Sequence, residues 1–455
     1  MCENEFKAIV LAAGTGSRMR EITNKKPKCL LPIGNLPLIW YPLSMLERSG
    51  FSTATVIVLD EEQSEIKKAL DKFDLKITLK YVSIKQDDDL GTADALRKVP
   101  RHGEKARDVL VVSCDLVTDE PLENLLNVFR QHEASLAALF FPSIPDPTPG
   151  SIPGPKSKQK PVSIVAERDL VGLDPVTSRL VLLASASDFE ESLEVKMRML
   201  RKHHRLEIHS RLTDAHLYVI SKHLWKYITS DDNSDSTLKG EVLPFIVKQQ
   251  MSSMNKFAEH GDEKEEHEDE RKEAKLALFK HIPHDELQHL VEQISTWSDH
   301  PGSKDSAYHG DRLRCCALVA KPPTSGTRIN TLPAYWELTR QILKTEKWNL
   351  LTGNRDLIEM SMIGAGSKVH EGVKLERCSI GMNCEVQTGA VLSDCTLMDN
   401  VTIGEGVNLV NCLVCEHGVI EKGAKLKSCL VGYNYTIPEA SCHEFEILSG
   451  VIMET

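Results

Sequence analysis

A chain of 455 residues is too long for one ordinary core, so two domains are the starting expectation. Hydrophobic residues make up 41%, enough for packed interiors rather than a disordered chain. The net charge of −11 excludes a general nucleic-acid binder, which needs a basic surplus.

No basic stretch followed by an apolar core opens the chain, and no apolar run reaches membrane-spanning length. Twelve cysteines without a secretory signal point to reduced thiols and a cytoplasmic (cytosolic) setting. Cys315-Cys316 lacks metal-ligand spacing. Cys412 and Cys415 form a C-x-x-C with no second pair in register.

Phe6 to Ala12 reads as a buried strand, and the turn Ala13-Gly14-Thr15-Gly16-Ser17-Arg18 follows it. After Pro27-Lys28-Cys29-Leu30-Leu31-Pro32-Ile33, an apolar-rich helix is predicted from Pro37 to Arg48, with Gly50 beyond its end. Thr55 to Leu59 is a second strand, Glu61 to Phe73 an amphipathic helix, and Asp108 to Ser113 a strand leading into Cys114-Asp115. Strands alternating with helices imply a mainly parallel, Rossmann-like α/β sheet. Such sheets bind ligands outside the carboxyl ends of their strands, where the glycine turn and Asp115 fall.

Seven prolines among Ser, Gly and Lys make residues 142–161 a mobile loop by composition. Residues 259–275 are a dense charge run that reads as a solvated, disordered insert; His260 and His267 have no ordered partners there. Residues 298–312 read as another loop. A linker helix over 341–358 then separates a first domain, 1–340, from a second, 359–455.

The second domain is a repeat. Ile363, Val369 and Leu375 return as Ile380, Val386 and Leu392, then as Leu397, Ile403 and Leu409, then as Val414, Ile420 and Leu426; Val431 and Ile437 begin a fifth set. Each set starts 17 residues after the last. Gly372, Gly389, Gly406 and Gly423 keep the same spacing, as do Cys378, Cys395, Cys412 and Cys429. This is neither a helix period nor a two-residue strand period. Three short strands per coil, joined by glycine turns, make a triangular prism with aliphatic side chains stacked inside. The pattern resembles the left-handed parallel β-helix of hexapeptide-repeat proteins. Some of those are acyltransferases with an essential histidine, but His370 and His417 have no carboxylate partner at a recognisable spacing and read as turn residues. One cysteine per coil gives a ladder of small buried side chains, not a tetrahedral metal site.

In the first domain a lone G-x-G is weak. It lacks the third glycine of a dinucleotide fingerprint and the G-K-[ST] of a phosphate-binding P-loop. Taken singly, Gly14 and Gly16 can shape a turn, Arg18 can pair with a carboxylate, Lys28 can be a surface lysine and Asp115 can cap a segment. The ordered combination says more: Leu11 to Met19, then Pro27 to Ile33, then Leu90-Gly91-Thr92-Ala93-Asp94-Ala95, then a strand ending in Asp115. It resembles the sugar-1-phosphate nucleotidyltransferases over about residues 6–120, and several members of that family carry a hexapeptide tail. Their reaction is attack of a sugar phosphate on the α-phosphorus of a nucleoside triphosphate. The resemblance implies backbone N–H groups of the glycine turn on phosphate, neutralised by Arg18 and Lys28. It puts Gln86 and the Gly91-Thr92-Ala93 turn at the base and Asp115 on Mg²⁺.

Three further motifs of that family fail here. The second metal carboxylate, in a D-I-G-x-P-x-x-Y context, aligns with Arg328 of Arg328-Ile329-Asn330-Thr331-Leu332-Pro333-Ala334-Tyr335. Arginine cannot ligate Mg²⁺ and repels it. The strand with the sugar-phosphate lysine aligns with Leu182 to Asp188, which has no lysine. The N-A-G-x-Y motif reads Asp214-Ala215-His216-Leu217-Tyr218, so His216 fills the place of the glycine at the sugar. An abandoned active site is expected, with no catalytic residue, no cofactor and no metal.

Residues 35–51, 87–97, 111–119, 214–218 and 330–335, with the hexapeptide tail, are similar to the gamma-subunit family of eukaryotic translation initiation factor two B. That resemblance implies a chain ending after its β-helix, without the helical catalytic domain of the epsilon subunit. It implies an epsilon partner, assembly with alpha, beta and delta subunits, translation initiation factor two as the substrate of the complex, and no direct contact with nucleic acid or membrane. The reaction implied is GDP release so that GTP can bind. The competing expectations are an active sugar nucleotidyltransferase, such as a mannose-1-phosphate guanylyltransferase, and a hexapeptide acyltransferase.

Overall fold

The computed structural model describes residues 5–86, 90–100, 107–143, 151–155, 169–185, 199–200, 203, 205–230, 232–250, 276–282, 313–344 and 361–450. The charge run at 259–275, the loop at 298–312 and positions 345–358 of the linker helix lie outside the described residues.

The first domain is organised on a nine-stranded sheet. Its leading half is parallel: β1 (Phe6–Leu11) lies between β4 (Thr53–Leu59) and β6 (Asp108–Ser113), and β5 (Thr78–Ile84) flanks β4. The run Phe6 to Leu11 is apolar at nearly every position because both faces are covered. Ala8 and Val10 pack with Leu43, Leu46, Leu125 and Leu126 on one side. Ile9 packs with Leu96, Leu224 and Ile246 on the other.

The far half of the sheet is mixed. The long strand β11 (Glu207–Ile220) runs antiparallel to β6 and β8 (Leu136–Pro142). β12 (Cys315–Val319), β10 (Arg179–Ser185) and β9 (Asp169–Asp174) continue the order, and β9 pairs back onto β11. These five strands therefore close a ring. Outside that sheet, β2 (Pro32–Ile33) and β3 (Leu36–Pro37) form a small hairpin, and β7 (Leu116–Thr118) pairs with β13 (Gly326–Arg328).

The hairpin shortens the first predicted helix, which runs from Trp40 to Arg48 rather than from Pro37. Gly34 and Asn35 both adopt positive φ, +55° and +61°, the turn that matches a two-residue β-hairpin, and Pro37 is spent on its second strand. The helix that reaches the start of the expected 341–358 linker begins earlier, at Leu332, and is described to Lys344.

The second domain is the expected parallel coil. Three sheets run along it, of six, five and five strands. Ile363, Ile380, Leu397, Val414 and Val431 are register partners in one sheet, and Leu448 adds a sixth. Val369, Val386, Ile403, Ile420 and Ile437 line the second. Leu375, Leu392, Leu409 and Leu426 line the third, where His443 ends the aliphatic series. Gly372, Gly389, Gly406 and Gly423 turn one corner with φ between +66° and +77°. A side chain is disfavoured in that conformation, and Ala440 takes the same corner one coil later at +55°. His417 occupies the left-handed corner that Asn383, Asn400 and Asn434 fill on other coils, while exposed His370 pairs with Glu385 at 3.5 Å.

The cysteine column stacks as expected. Ser379, Thr396 and Leu413 donate their N–H to the carbonyls of Cys395, Cys412 and Cys429 one coil on. Each buried thiol donates to the carbonyl two residues back, at 3.2–3.3 Å.

The two domains share a core. Met19, Ile22, Leu31, Ile33 and Trp336 from the first pack with Met398, Leu413, Cys415 and Leu430 from the coil. Cys415 thus belongs to the domain junction rather than to a metal site. Within the proline-rich stretch, Ile152 is buried and Gly154 donates its N–H to Ser428 of the coil at 2.8 Å.

Candidate functional site

Asp115 lies two residues beyond the end of β6 and is 1% exposed. The pairing of β13 with β7 sets Arg328 opposite Leu116, and the N–H of Ile329 donates to the Asp115 carbonyl at 2.9 Å. The side chains then meet. Arg328 donates from Nε to Oδ1 at 3.2 Å and from Nη2 to Oδ2 at 3.1 Å. Lys28 donates from Nζ to Oδ2 at 2.5 Å. Burial drives the Asp115 carboxyl towards its neutral form, but the adjacent Arg328 and Lys28 outweigh it and hold the pKa well below the usual carboxylate range. Burial likewise works against the Arg328 charge, and Asp115 more than offsets it.

This donor set does not fit the Mg²⁺ of the resembling transferases. A divalent ion needs free carboxylate oxygens, and both of those on Asp115 accept from cations. Arg328, expected from the sequence to stand in place of a second carboxylate, points at Asp115. Among the described residues no group of three or more His, Cys, Asp or Glu side chains could hold a metal.

His216 sits on a bulge in β11. The register with β8 slips between Asp214 and Tyr218, and His216 takes φ +49°. A bulge bends its strand and re-aims a side chain. Asp214 braces it: Oδ1 accepts from the His216 N–H at 2.8 Å and Oδ2 from the Tyr218 hydroxyl at 2.6 Å. The enclosed Nε2 of His216 has no hydrogen-bond partner among the described residues. Burial, followed by the charges of Arg328 and Lys239, keeps this imidazole neutral with a pKa well below its ordinary value. Burial pushes the Asp214 carboxyl up.

The remaining predicted residues are placed as follows. Gly16 has φ +70°, and an added Cβ would lie 2.8 Å from Thr23 Cγ2, so the turn needs glycine there. Gly14 has open space around it, and Arg18 and Gln86 are exposed. Gly91 lies against Ser236: a Cβ would come within 2.2 Å of its carbonyl oxygen. The Thr92 hydroxyl accepts from the Leu238 N–H at 2.8 Å. That second turn is thus held by the 236–238 segment.

Lys239 is the charged group that sequence reasoning missed. It pairs with Asp169 at 2.9 Å and acts electrostatically on His216 and Asp214. No motif marks it, because its position depends on the short π-helix Leu238–Val242 meeting β9. A separate groove of about 290 Å³ lies between the domains, lined by Lys26, Lys68, Phe73, Met382, Asp399 and Glu416, and does not include Asp115.

Residues 7–149 match the family model described as nucleotidyl transferase, and residues 340–442 match that described as the EIF2B subunit epsilon LbH domain. Translation initiation factor eIF2B subunit gamma of Schizosaccharomyces pombe is 29% identical over 382 residues, covering 82% of this chain and 72% of that protein. The protein of the same name in Caenorhabditis elegans is 31% identical over 254 residues, 54% of this chain and 59% of that one. Similarity to the UTP–glucose-1-phosphate uridylyltransferase of Synechocystis is shorter, 30% over 148 residues, 31% of this chain and 38% of that protein. By these similarities the chain is a homologue of the eIF2B gamma subunits, joining a nucleotidyltransferase domain to a left-handed parallel β-helix.

Proposed function

We propose that this chain is a non-catalytic subunit of the cytosolic exchange factor that releases GDP from translation initiation factor two. In this reading it supports a catalytic epsilon subunit and assembles with alpha, beta and delta subunits. On this reading the chain divides into a nucleotidyltransferase-like domain at 1–340, a linker helix at 341–358 and a β-helix domain at 359–455.

The observation that carries the non-catalytic part is the bidentate contact of Arg328 with Asp115. It supplies an internal cation where a transferase needs a metal. His216 adds an imidazole to the bulge at the sugar position. Gly14, Gly16, Arg18, Lys28, Gln86, Gly91, Thr92 and Asp115 are then a vestigial nucleotide pocket.

Exchange requires a surface that binds the empty substrate better than its GDP form; otherwise no equilibrium shifts. The chain's contribution on this reading is to hold the partner that does so. Labelled-GDP release tests it, measured with the chain alone, an epsilon subunit alone, and both together. Release well above that of the epsilon subunit alone is expected only for the pair. Full activity from this chain alone, or an epsilon subunit indifferent to it, would overturn the proposal.

A further inference from the structure

Asp399, Glu416 and Tyr433 are 17 residues apart and so occupy one corner row on three successive coils. That row faces a short stretch of the first domain. The Tyr433 hydroxyl donates to the Ile22 carbonyl at 2.6 Å. Lys26 is ion-paired with Glu416 and lies 4.0 Å from Asp399.

The stretch so gripped is the one that shapes the pocket. Ile22 is fully buried in the shared core. Its neighbour Thr23 donates its hydroxyl to the carbonyls of Gly16 and Met19, at 3.1 and 3.0 Å, and its methyl lies where any Cβ on Gly16 would go. Two residues beyond Lys26, Lys28 closes on Asp115. The glycine turn at one end and the lysine at the other are thus tied to the coil by three side chains of one row.

We propose that the Asp399–Glu416–Tyr433 row is a positioning device: the β-helix sets the conformation of residues 16–28, and so of the pocket's glycine turn and Lys28. The coupling runs through hydrogen bonds and an ion pair at a partly buried junction, so it is discrete and removable residue by residue. The coupling does not depend on whether the pocket is catalytic.

Hydrogen exchange followed by mass spectrometry on the full chain tests it. Tyr433→Phe and Glu416→Gln should speed exchange in peptides covering 16–24, whose amides at Met19 and Asn24 bond to Gly16 and Arg20 carbonyls. Loss of one such hydrogen bond should give about a two- to tenfold increase. Lys422→Ala, which removes the exposed Lys422–Glu405 pair at another corner, is the control and should leave that peptide unchanged. Chemical denaturation of each variant separates local from global effects. Unchanged exchange at 16–24 in both row variants overturns the proposal. So does faster exchange spread evenly over the strands of both domains.

Discussion

Arg328 and Asp115 are 213 positions apart in the chain, yet the guanidinium meets both oxygens of the carboxylate in a site where Asp115 is 1% exposed. The contact arises because β13 adds to β7 at the carboxyl end of β6. Removing Arg328 strips the buried carboxylate of one of its two cations and of two hydrogen bonds, leaving Lys28 alone to compensate it. Arg328→Leu should therefore destabilise the first domain by about 3 kcal/mol, read from urea denaturation. A loss under about 0.5 kcal/mol would place the pair among surface bridges of little consequence.

The same pair predicts an acid dependence. The folded Asp115 carboxyl is held below its unfolded value, near 3.9. Its contribution is therefore complete above about pH 5 and is lost progressively as pH falls through about 4 towards the folded value. Asp115→Asn should be less stable than the parent at neutral pH, and the gap should narrow as the pH is lowered to about 3. A gap independent of pH would contradict the assigned ionisation.

Arg328→Asp puts a second carboxylate beside Asp115 and removes one of its two cations. Mn²⁺ titration followed by electron paramagnetic resonance should detect binding in the variant and none at this site in the parent. Pyrophosphate release from GTP or UTP, with a panel of sugar 1-phosphates and Mg²⁺, should stay at background for the parent. Turnover at an ordinary enzyme rate, about 1–10³ s⁻¹, would reinstate an active transferase.

His216 holds φ +49°, a conformation costing an ordinary residue roughly 1 kcal/mol or more. His216→Gly should be tolerated within about 1 kcal/mol, since relief of strain offsets the lost contacts and added chain entropy. His216→Val should cost over about 2 kcal/mol, because a β-branched residue resists this conformation. Equal thermal midpoints for the two variants would mean that the bulge does not require its backbone geometry.

Within the coil, Ile420 is 1% exposed and faces the interior, while Thr402 is only partly buried beside Ile403. Ile420→Asp buries an unpaired charge and should destabilise the β-helix by several kcal/mol, about 3 or more. Thr402→Asp should change stability far less. A normally melting Ile420→Asp protein would argue against a stacked interior.

Much of this architecture was legible in the sequence, because short periods are local properties. The 17-residue spacing of Ile380, Leu397, Val414 and Val431 determines which side chains stack, since parallel coils bring equivalent positions into register. The apolar run Phe6 to Leu11 announces a strand covered on both faces, and the order of glycine turn, Lys28 and Asp115 carries the nucleotidyltransferase resemblance that the match over residues 7–149 bears out. What no period encodes is which distant segments meet. The sequence marks Arg328 as an alignment mismatch, but only the pairing of β13 with β7 turns it onto Asp115. Lys239 carries no motif and reaches the site through the meeting of a short π-helix with β9. Likewise the 17-residue period puts Asp399, Glu416 and Tyr433 in one row, whereas their hold on Ile22 and Lys26 depends on how the coil docks. That docking is decided by the fit of Met398, Leu413 and Leu430 against Ile22 and Ile33, a matter of shape across two domains rather than of pattern within one.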